Sequence, residues 1–411
     1  MKPIIVIGAG LAGWTTVREF RKLDSSTPIM MITADSGDFY AKPTLSNAFA
    51  QKKSPEQLVV TPMVKMVEAQ GVTLLPFTRV LGFDPTVKTV TTEGGSHDFS
   101  ALVLATGASP IRIPLAGDAA DEVLSVNSLQ DFASFYLALN ADSSRYETSL
   151  DSYENNSKKK PVVLIMGAGL IGCEFANDLV NAGFAVSVVD PATRPLAALL
   201  PEPASEQLRA GLANLGVDWH FGATVQAVNH AADSAQTIAP LQATLSNGKV
   251  LAADVVLSAI GLRADTRLAL AAGLTCERGI AVDTALQTSA PHVYALGDAA
   301  QYASAGHVTL PFVMPIMNAA RALAATLAGT RTDLVFPVMP VAVKTPALPL
   351  LIASPCPGTS GGWQTVESGW WQYVNDQGLR QGFILAGAQT ARRAEQLKAL
   401  QATMQPAQLI I

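Results

Sequence analysis

Short apolar runs that end at glycine set the rhythm of this chain. Ile4-Ile-Val-Ile7 leads straight into Gly8-Ala-Gly10-Leu-Ala-Gly13, and helix-compatible sequence precedes a second apolar run near residue 28. This pattern predicts a strand over 3–7, a helix over 12–23 and a strand over 28–33, which together make a βαβ unit. Next, 71–75 reads as a strand and 79–99 as alternating segments. Leu102-Val-Leu-Ala-Thr-Gly107 reads as a short buried strand closed by a small-residue turn.

The same pattern then returns. Pro161-Val-Val-Leu-Ile-Met-Gly167-Ala-Gly169-Leu-Ile-Gly172 repeats the opening, Gly216-Val217 matches Gly71-Val72, and the strand ending at Gly261 matches the one ending at Gly107. Copies about 150 residues apart imply duplication of a whole folding unit, which chance produces far less readily than one six-residue motif. Between them, 140–160 is rich in Ser, Asn, Asp and Lys and reads as a solvated insertion, Lys158-Lys-Lys160 included.

After Gly261 short strands are expected through Gly279–Asp283 and His292–Asp298, followed by an Ala-rich helix over Pro315–Leu327. The tail changes character, with six prolines between Pro337 and Pro357. A hairpin of Trp363–Val374 and Leu379–Leu385 is expected to turn at Asp376-Gln-Gly378, before a helix over 389–403. The predicted class is α/β. One nucleotide-binding domain spans 1–115 and 264–332, a second spans 116–263, and a small α+β domain covers 333–411.

Composition removes several alternatives. Apolar residues make up 49% of 411, yet no uncharged apolar run reaches about 18 residues, so no membrane span is predicted. The N-terminal run has nucleotide-loop glycine spacing and no small-residue cleavage site, against a signal peptide. A net charge of −5 argues against nucleic acid as main partner. Cys173, Cys276 and Cys356 are odd in number and far apart, which fits a reducing cytoplasm. The five histidines lack metal-ligand spacing, and no metal is expected.

The glycines carry a specific chemistry. Gly8 and Gly167 permit a tight turn, Gly10 and Gly169 let backbone approach a pyrophosphate, and Gly13 and Gly172 let helix and strand pack closely. Phosphates then face the first helical turns, Leu11 and Ala12 or Leu170 and Ile171, where unpaired N–H groups favour negative charge. The strand Ala185–Asp190 ends in an acid about 20 residues past its glycines, suited to a ribose 2′-hydroxyl. It favours NADH over NADPH, with Arg194 as the opposing signal. In the first unit Thr33 holds the acid's place, and Asp35 two residues on is its candidate substitute. Asp298, after Gly297, reads as a helix cap or as a ligand to a hydroxyl. Lys42 and Lys344 each read as a solvated charge or a site cation, and Val80 as a plain strand residue or an adenine contact.

Taken in order, Gly8-x-Gly10-x-x-Gly13, Ala105-Thr106-Gly107, Gly167-x-Gly169-x-x-Gly172-Cys-Glu174, Ala259-Ile-Gly261 and Tyr294-Ala-Leu-Gly297-Asp298 resemble the pyridine nucleotide–flavin oxidoreductases with two glutathione reductase-type Rossmann domains. Within that group, Tyr40-x-Lys42-Pro43, Glu174-Phe-Ala-Asn-Asp178, Val313-Met-Pro315 and Val343-Lys344-Thr-Pro346 are most similar to the bacterial rubredoxin–NAD reductases. The resemblance implies FAD in the first site and NADH in the second, with Gly261 beside the latter. It places Lys42 by flavin N5, paired with Glu174, and Pro43 beside it. It also puts Thr106, Gly107 and Lys344 on FAD, the Val80 backbone on adenine and Asp298 on the ribityl chain. The helix starting at Val313 is then aimed at the flavin N1/O2 edge.

Disulfide reductases on such a scaffold need a close cysteine pair, and this chain has none. Peroxidase and oxidase relatives need a cysteine in the loop after residue 40, which here reads Lys42-Pro-Thr-Leu-Ser-Asn47. Electrons must therefore leave the flavin for an acceptor outside the chain. The resemblance implies rubredoxin, serving alkane hydroxylation or oxygen and peroxide detoxification. A [2Fe–2S] ferredoxin reductase, a flavorubredoxin reductase and a non-turnover NADH-sensing flavoprotein are the alternatives.

Overall fold

A computed structural model describes residues 1–140, 161–231, 239–356 and 358–403. The expected insertion at 140–160 therefore lies, after Asn140, outside the described residues. The first sheet has five parallel strands in the order Val293–Ala295, Ala101–Leu104, Ile4–Ile7, Ile29–Ile32, Thr73–Leu75. Covered on both faces, its strands are near-continuous apolar runs, as buried parallel strands are. Ile5, Met31 and Val103 are fully buried, each worth about 2 kcal/mol of apolar burial. Helix Leu11–Arg21 crosses over between the first two strands and packs on helix Val313–Leu327.

The second sheet has the same order without a counterpart of Val293–Ala295: Val255–Ser258, Val162–Met166, Ala185–Asp190, Val217–Phe221, all parallel. Each unit also carries three antiparallel strands, Val80–Asp84, Thr89–Thr92 and Gly95–Asp98 in the first and Val225–His230, Leu241–Leu245 and Val250–Ala253 in the second. The chain leaves the first unit along Ala108–Pro110 and returns along Leu262–Ala264, and these two segments pair antiparallel. Ala116 already bridges to Ala227 of the second unit.

The tail forms an antiparallel sheet in the order Val341–Val343, Leu350–Ala353, Arg380–Ala386, Trp370–Asn375, Gly361–Glu367, followed by helix Arg393–Thr403. Here the expected single strand Trp363–Val374 is two strands. Gly369 adopts φ +79° and turns the chain between Glu367 and Trp370, a reversal masked by the apolar and aromatic residues on either side. The second turn lies where expected, with Asn375 Oδ1 accepting from Gln377 N and Leu379 N. Residues Gly387–Arg392 form a 3₁₀ turn rather than the start of the α-helix. Near residue 71 the expected strand starts at Thr73 because Gly71, at φ +55°, caps helix Met63–Gln70. No helix of the described residues is long and apolar enough to cross a membrane.

Candidate functional site

Both glycine-rich loops open into one cavity of 1410 Å³. Gly8, Gly10, Leu11 and Ala12 line it from the first unit, and Gly167, Gly169, Leu170 and Ile171 from the second. A Cβ on Gly8 would lie 2.3 Å from Ala105 O, and one on Gly167 2.6 Å from Ala259 O, so each turn is fitted to its neighbouring strand end. Gly13 and Gly172 do not line the cavity. They sit behind the loops, where a Cβ would come within 2.0 Å of Gly8 O and Gly167 O. Their contribution is close packing of helix against loop.

Register shows how the acids differ between the units. Ile7 pairs with Ile32 and Met166 with Val189, so Thr33 and Asp190 occupy equivalent places. Asp190 accepts from Ala168 N at 2.6 Å and Ala192 N at 2.7 Å, which fixes its carboxylate across the glycine loop. Thr33 instead donates to Asp35 Oδ1 at 2.6 Å, and Gly37 N donates to the same oxygen at 3.0 Å. Thr33, Asp35 and Asp190 all line the cavity. Val80, Thr106, Gly107 and Gly261 lie on its wall as well. Thr106 Oγ1 donates to Asp265 O at 2.9 Å.

The charged groups at the centre pair differently from expectation. Lys42 and Glu174 form no ion pair. Lys42 Nζ lies 3.9 Å from Asp298 Oδ2, while Glu174 Oε2 lies 2.8 Å from Lys344 Nζ. The cause is in the loop: Lys42–Asn47 winds as a 3₁₀ turn that presents Ser46, not Lys42, to the second-unit helix. Burial holds the Lys42 ammonium below its ordinary range, only partly offset by Asp298 and Asp131. Burial likewise raises the Asp298 carboxyl, against the pull of Lys42. No described residue donates a hydrogen bond to Asp298, so a cavity-lining carboxylate stands without a donor.

Helix Leu170–Ala182 carries more of the site than its glycine end. Glu174, Asn177 and Asp178 share one face by their spacing. Glu174 Oε1 accepts from Lys344 N at 2.9 Å, and Asn177 Oδ1 accepts from Ala347 N at 3.0 Å. Asp178 accepts from Phe49 N and Ala50 N, and burial still raises its carboxyl. One helix of the second unit thus holds the first-unit loop and the C-terminal domain. Sequence reasoning gave Ser46, Asn177 and Asp178 no role, although a polar stripe on an apolar helix was a signal for it. Tyr40 is a further lining residue; its hydroxyl accepts from Leu129 N, and burial pushes it up to about 12.

Residues 2–324 match the family model described as pyridine nucleotide-disulphide oxidoreductase. The chain belongs to that family. Residues 333–400 match a second model, the rubredoxin binding C-terminal domain. The chain is 47% identical over 369 residues to the rubredoxin-NAD(+) reductase of Alcanivorax borkumensis, covering 90% of each. To the enzyme of that name from Acinetobacter baylyi it is 39% identical, covering 100% of both. It is also 40% identical to the nitric oxide reductase FlRd-NAD(+) reductase of Aeromonas salmonicida, over 88% of this chain and 86% of the relative. Among solved structures, putidaredoxin reductase in its covalent complex with putidaredoxin has a TM-score of 0.82 at 23% identity, covering 98% and 94% of the two chains. NADH:rubredoxin oxidoreductase from Clostridium acetobutylicum gives 0.75 at 17%, covering 98% and 95%. At those identities the structures speak to the fold.

The family name carries a disulphide, but Cys173 and Cys276 are free thiols, and none of the three cysteines lines the cavity. Cys173 is fully buried, donates to Ala168 O at 3.4 Å, and has its thiol pushed up by burial, which leaves it neutral and packed.

Proposed function

We propose that this chain is an FAD-dependent reductase that moves electrons from NADH to rubredoxin, one at a time. The observation that carries the reading is a shared wall. The domain matched to rubredoxin binding contributes Met339, Pro340, Val341, Ala342 and Lys344 to the cavity that both glycine loops open into. A partner held by that domain sits beside the cavity, and no thiol relay stands between.

The residues fit the two nucleotides. The Gly8 and Gly167 turns leave no room for a Cβ, as loops that receive a pyrophosphate require, and among the described residues Asp298 has no donor where ribityl hydroxyls would supply one. Gly8, Gly10, Leu11 and Ala12 would hold the FAD phosphates, Asp35 and Thr33 its adenosine ribose, and Val80 its adenine. Around the ring, Lys42, Pro43, Thr106, Gly107, Glu174, Val313 and Lys344 would be the neighbours. Gly167, Gly169, Leu170, Ile171, Asp190 and Gly261 would hold NADH, and the Asp190 carboxylate would repel a 2′-phosphate. When bound, FAD supplies a ring that takes a hydride and releases electrons singly. The chain's own part is to align the two nucleotides, to place Lys42 and Lys344 beside the ring, and to keep Glu174 and Asp298 close enough to moderate those cations.

The test is stopped-flow absorbance of FAD-loaded protein mixed with NADH and then with rubredoxin. Bleaching by NADH and fast return of colour with rubredoxin are expected. Return with a [2Fe–2S] ferredoxin alone overturns the partner. The likeness to FlRd-NAD(+) reductases favours a second reading, in which the acceptor is the rubredoxin-like domain of a flavorubredoxin, and that domain belongs in the same comparison. We place the activity in the cytoplasm, where free thiols persist, and downstream of it alkane hydroxylation or removal of oxygen and peroxide.

A further inference from the structure

Ser46 sits where three domains meet. It lies in the Lys42–Asn47 turn of the first unit, 6% exposed, and donates to Glu174 Oε2 of the second unit at 2.6 Å. Its alternative acceptor, Pro43 O, is 3.5 Å away, so the hydroxyl proton belongs to the carboxylate. With that proton committed, its oxygen is free to accept, and Lys344 Nζ of the C-terminal domain donates to it at 3.1 Å. Lys344 also donates to Pro43 O and pairs with Glu174 at 2.8 Å. The ammonium is therefore held on one side by carboxylate, hydroxyl and carbonyl, and its position is set by groups from the other two domains.

We propose that Ser46 is a positioning residue, which fixes the Glu174–Lys344 pair and through it the charge that the C-terminal domain presents to the flavin. The argument is geometric. Glu174 is 10% exposed on its side chain and Lys344 35%, so the ammonium has both water and protein within reach. Without the hydroxyl, Glu174 Oε2 keeps a single partner, and Lys344, left with Glu174, Pro43 O and the Asn47 amide oxygen at 3.2 Å, resettles among the remaining acceptors. A cation that moves away from the ring stabilises added electrons less, because its field is weakened by distance and solvent. Ser46 reaches the cavity wall, but its hydroxyl is committed to Glu174 and Lys344, and in this scheme it acts through Lys344.

The inference rests on the reading above that the cavity holds FAD. The test is a double-mutant cycle of Ser46→Ala and Lys344→Met in the FAD-loaded full chain, with two measurements: the midpoint potential of the bound flavin, and the rate of its reduction by NADH. Ser46→Ala alone is expected to shift the potential and slow reduction about tenfold, with FAD content unchanged. In the Lys344→Met background the same change is expected to move neither quantity further. Additive effects, or a Ser46→Ala protein that matches wild type in both, overturn the proposal. Should Ser46→Ala fail to fold, Ser46→Cys, close in size with a weaker donor, enters the same cycle under the same criteria. Wild-type protein that binds FAD but is not reduced by NADH would overturn the proposed function, while the potentials would still decide the role of Ser46.

Discussion

Lys344 and Glu174 stand 170 positions apart in the chain, yet the carboxylate takes both the backbone N–H of Lys344, at 2.9 Å, and its ammonium, at 2.8 Å. Such a contact fixes the C-terminal domain in register on helix Leu170–Ala182. Removing the ammonium leaves a mostly buried carboxylate with the Ser46 hydroxyl and the Lys344 N–H as its donors, which costs more than an exposed pair returns but less than a buried charge left alone. Lys344→Met is expected to lower stability by about 1–3 kcal/mol. Hydrogen exchange should show the loss first at the Val341–Val343 edge of the C-terminal sheet, with both nucleotide-binding sheets unchanged.

The paired glycines give a test that separates the two sites. A Cβ on Gly13 or Gly172 would meet a backbone carbonyl 2.0 Å away, and backbone cannot move aside as a flexible side chain can. Gly13→Ala is expected to yield protein without bound flavin. Gly172→Ala is expected to keep flavin and its visible spectrum but to bind NADH more weakly, by about 2 kcal/mol, roughly thirtyfold in Kd. Absorbance of the purified proteins and an NADH titration check both.

These residues also show where a one-dimensional reading succeeds. The places of Gly13, Gly172 and Asp190 in the fold were legible because they depend on neighbours a few positions away: a turn, a helix start, a strand end. The duplication was legible for the same reason, since each copy repeats the same local rules. The partner of Glu174 was not, because it is chosen by how three domains pack, and neither spacing nor charge distinguishes Lys42 from Lys344. Ser46 was hidden by its ordinariness, a hydroxyl in a loop that acquires meaning only between two distant charges. The turn at Gly369 was lost for a local reason, as Trp370 and Trp371 continue the apolar pattern of the strand before it.

Asp190 anchors its own loop while facing the cavity. Its hydrogen bonds from Ala168 N and Ala192 N hold the carboxylate in place before any nucleotide arrives. Asp190→Ala is expected to weaken NADH binding by about 1–3 kcal/mol through loss of charged hydrogen bonds. FAD content should not change, because the equivalent place in the first unit is held by Thr33, hydrogen-bonded to Asp35, and not by Asp190. Equal loss of both nucleotides would mean that the two sites are assigned in reverse. Fluorescence titration with NADH, alongside flavin absorbance, separates these outcomes.

Asp298 gives a prediction whose sign reverses on binding. In the chain without flavin, burial raises its carboxyl above the ordinary value, and Lys42 at 3.9 Å offsets this only in part. A raised carboxyl contributes stability below its unfolded pKa, and that contribution is lost as pH rises through the folded one. Asn at this position carries no charge to desolvate, and at 3.9 Å the Lys42 ammonium makes no hydrogen bond to Asp298 that the change would remove. Flavin-free Asp298→Asn should therefore melt above flavin-free wild type at pH 7, with the gap closing towards pH 3. Once flavin is bound the order should invert, because ribityl hydroxyls donate more strongly to a carboxylate than to an amide oxygen, by about 1 kcal/mol. Melting curves at both pH values, with and without FAD, test the whole argument; a variant less stable than wild type in all of them would show that Asp298 serves the fold and not the ligand.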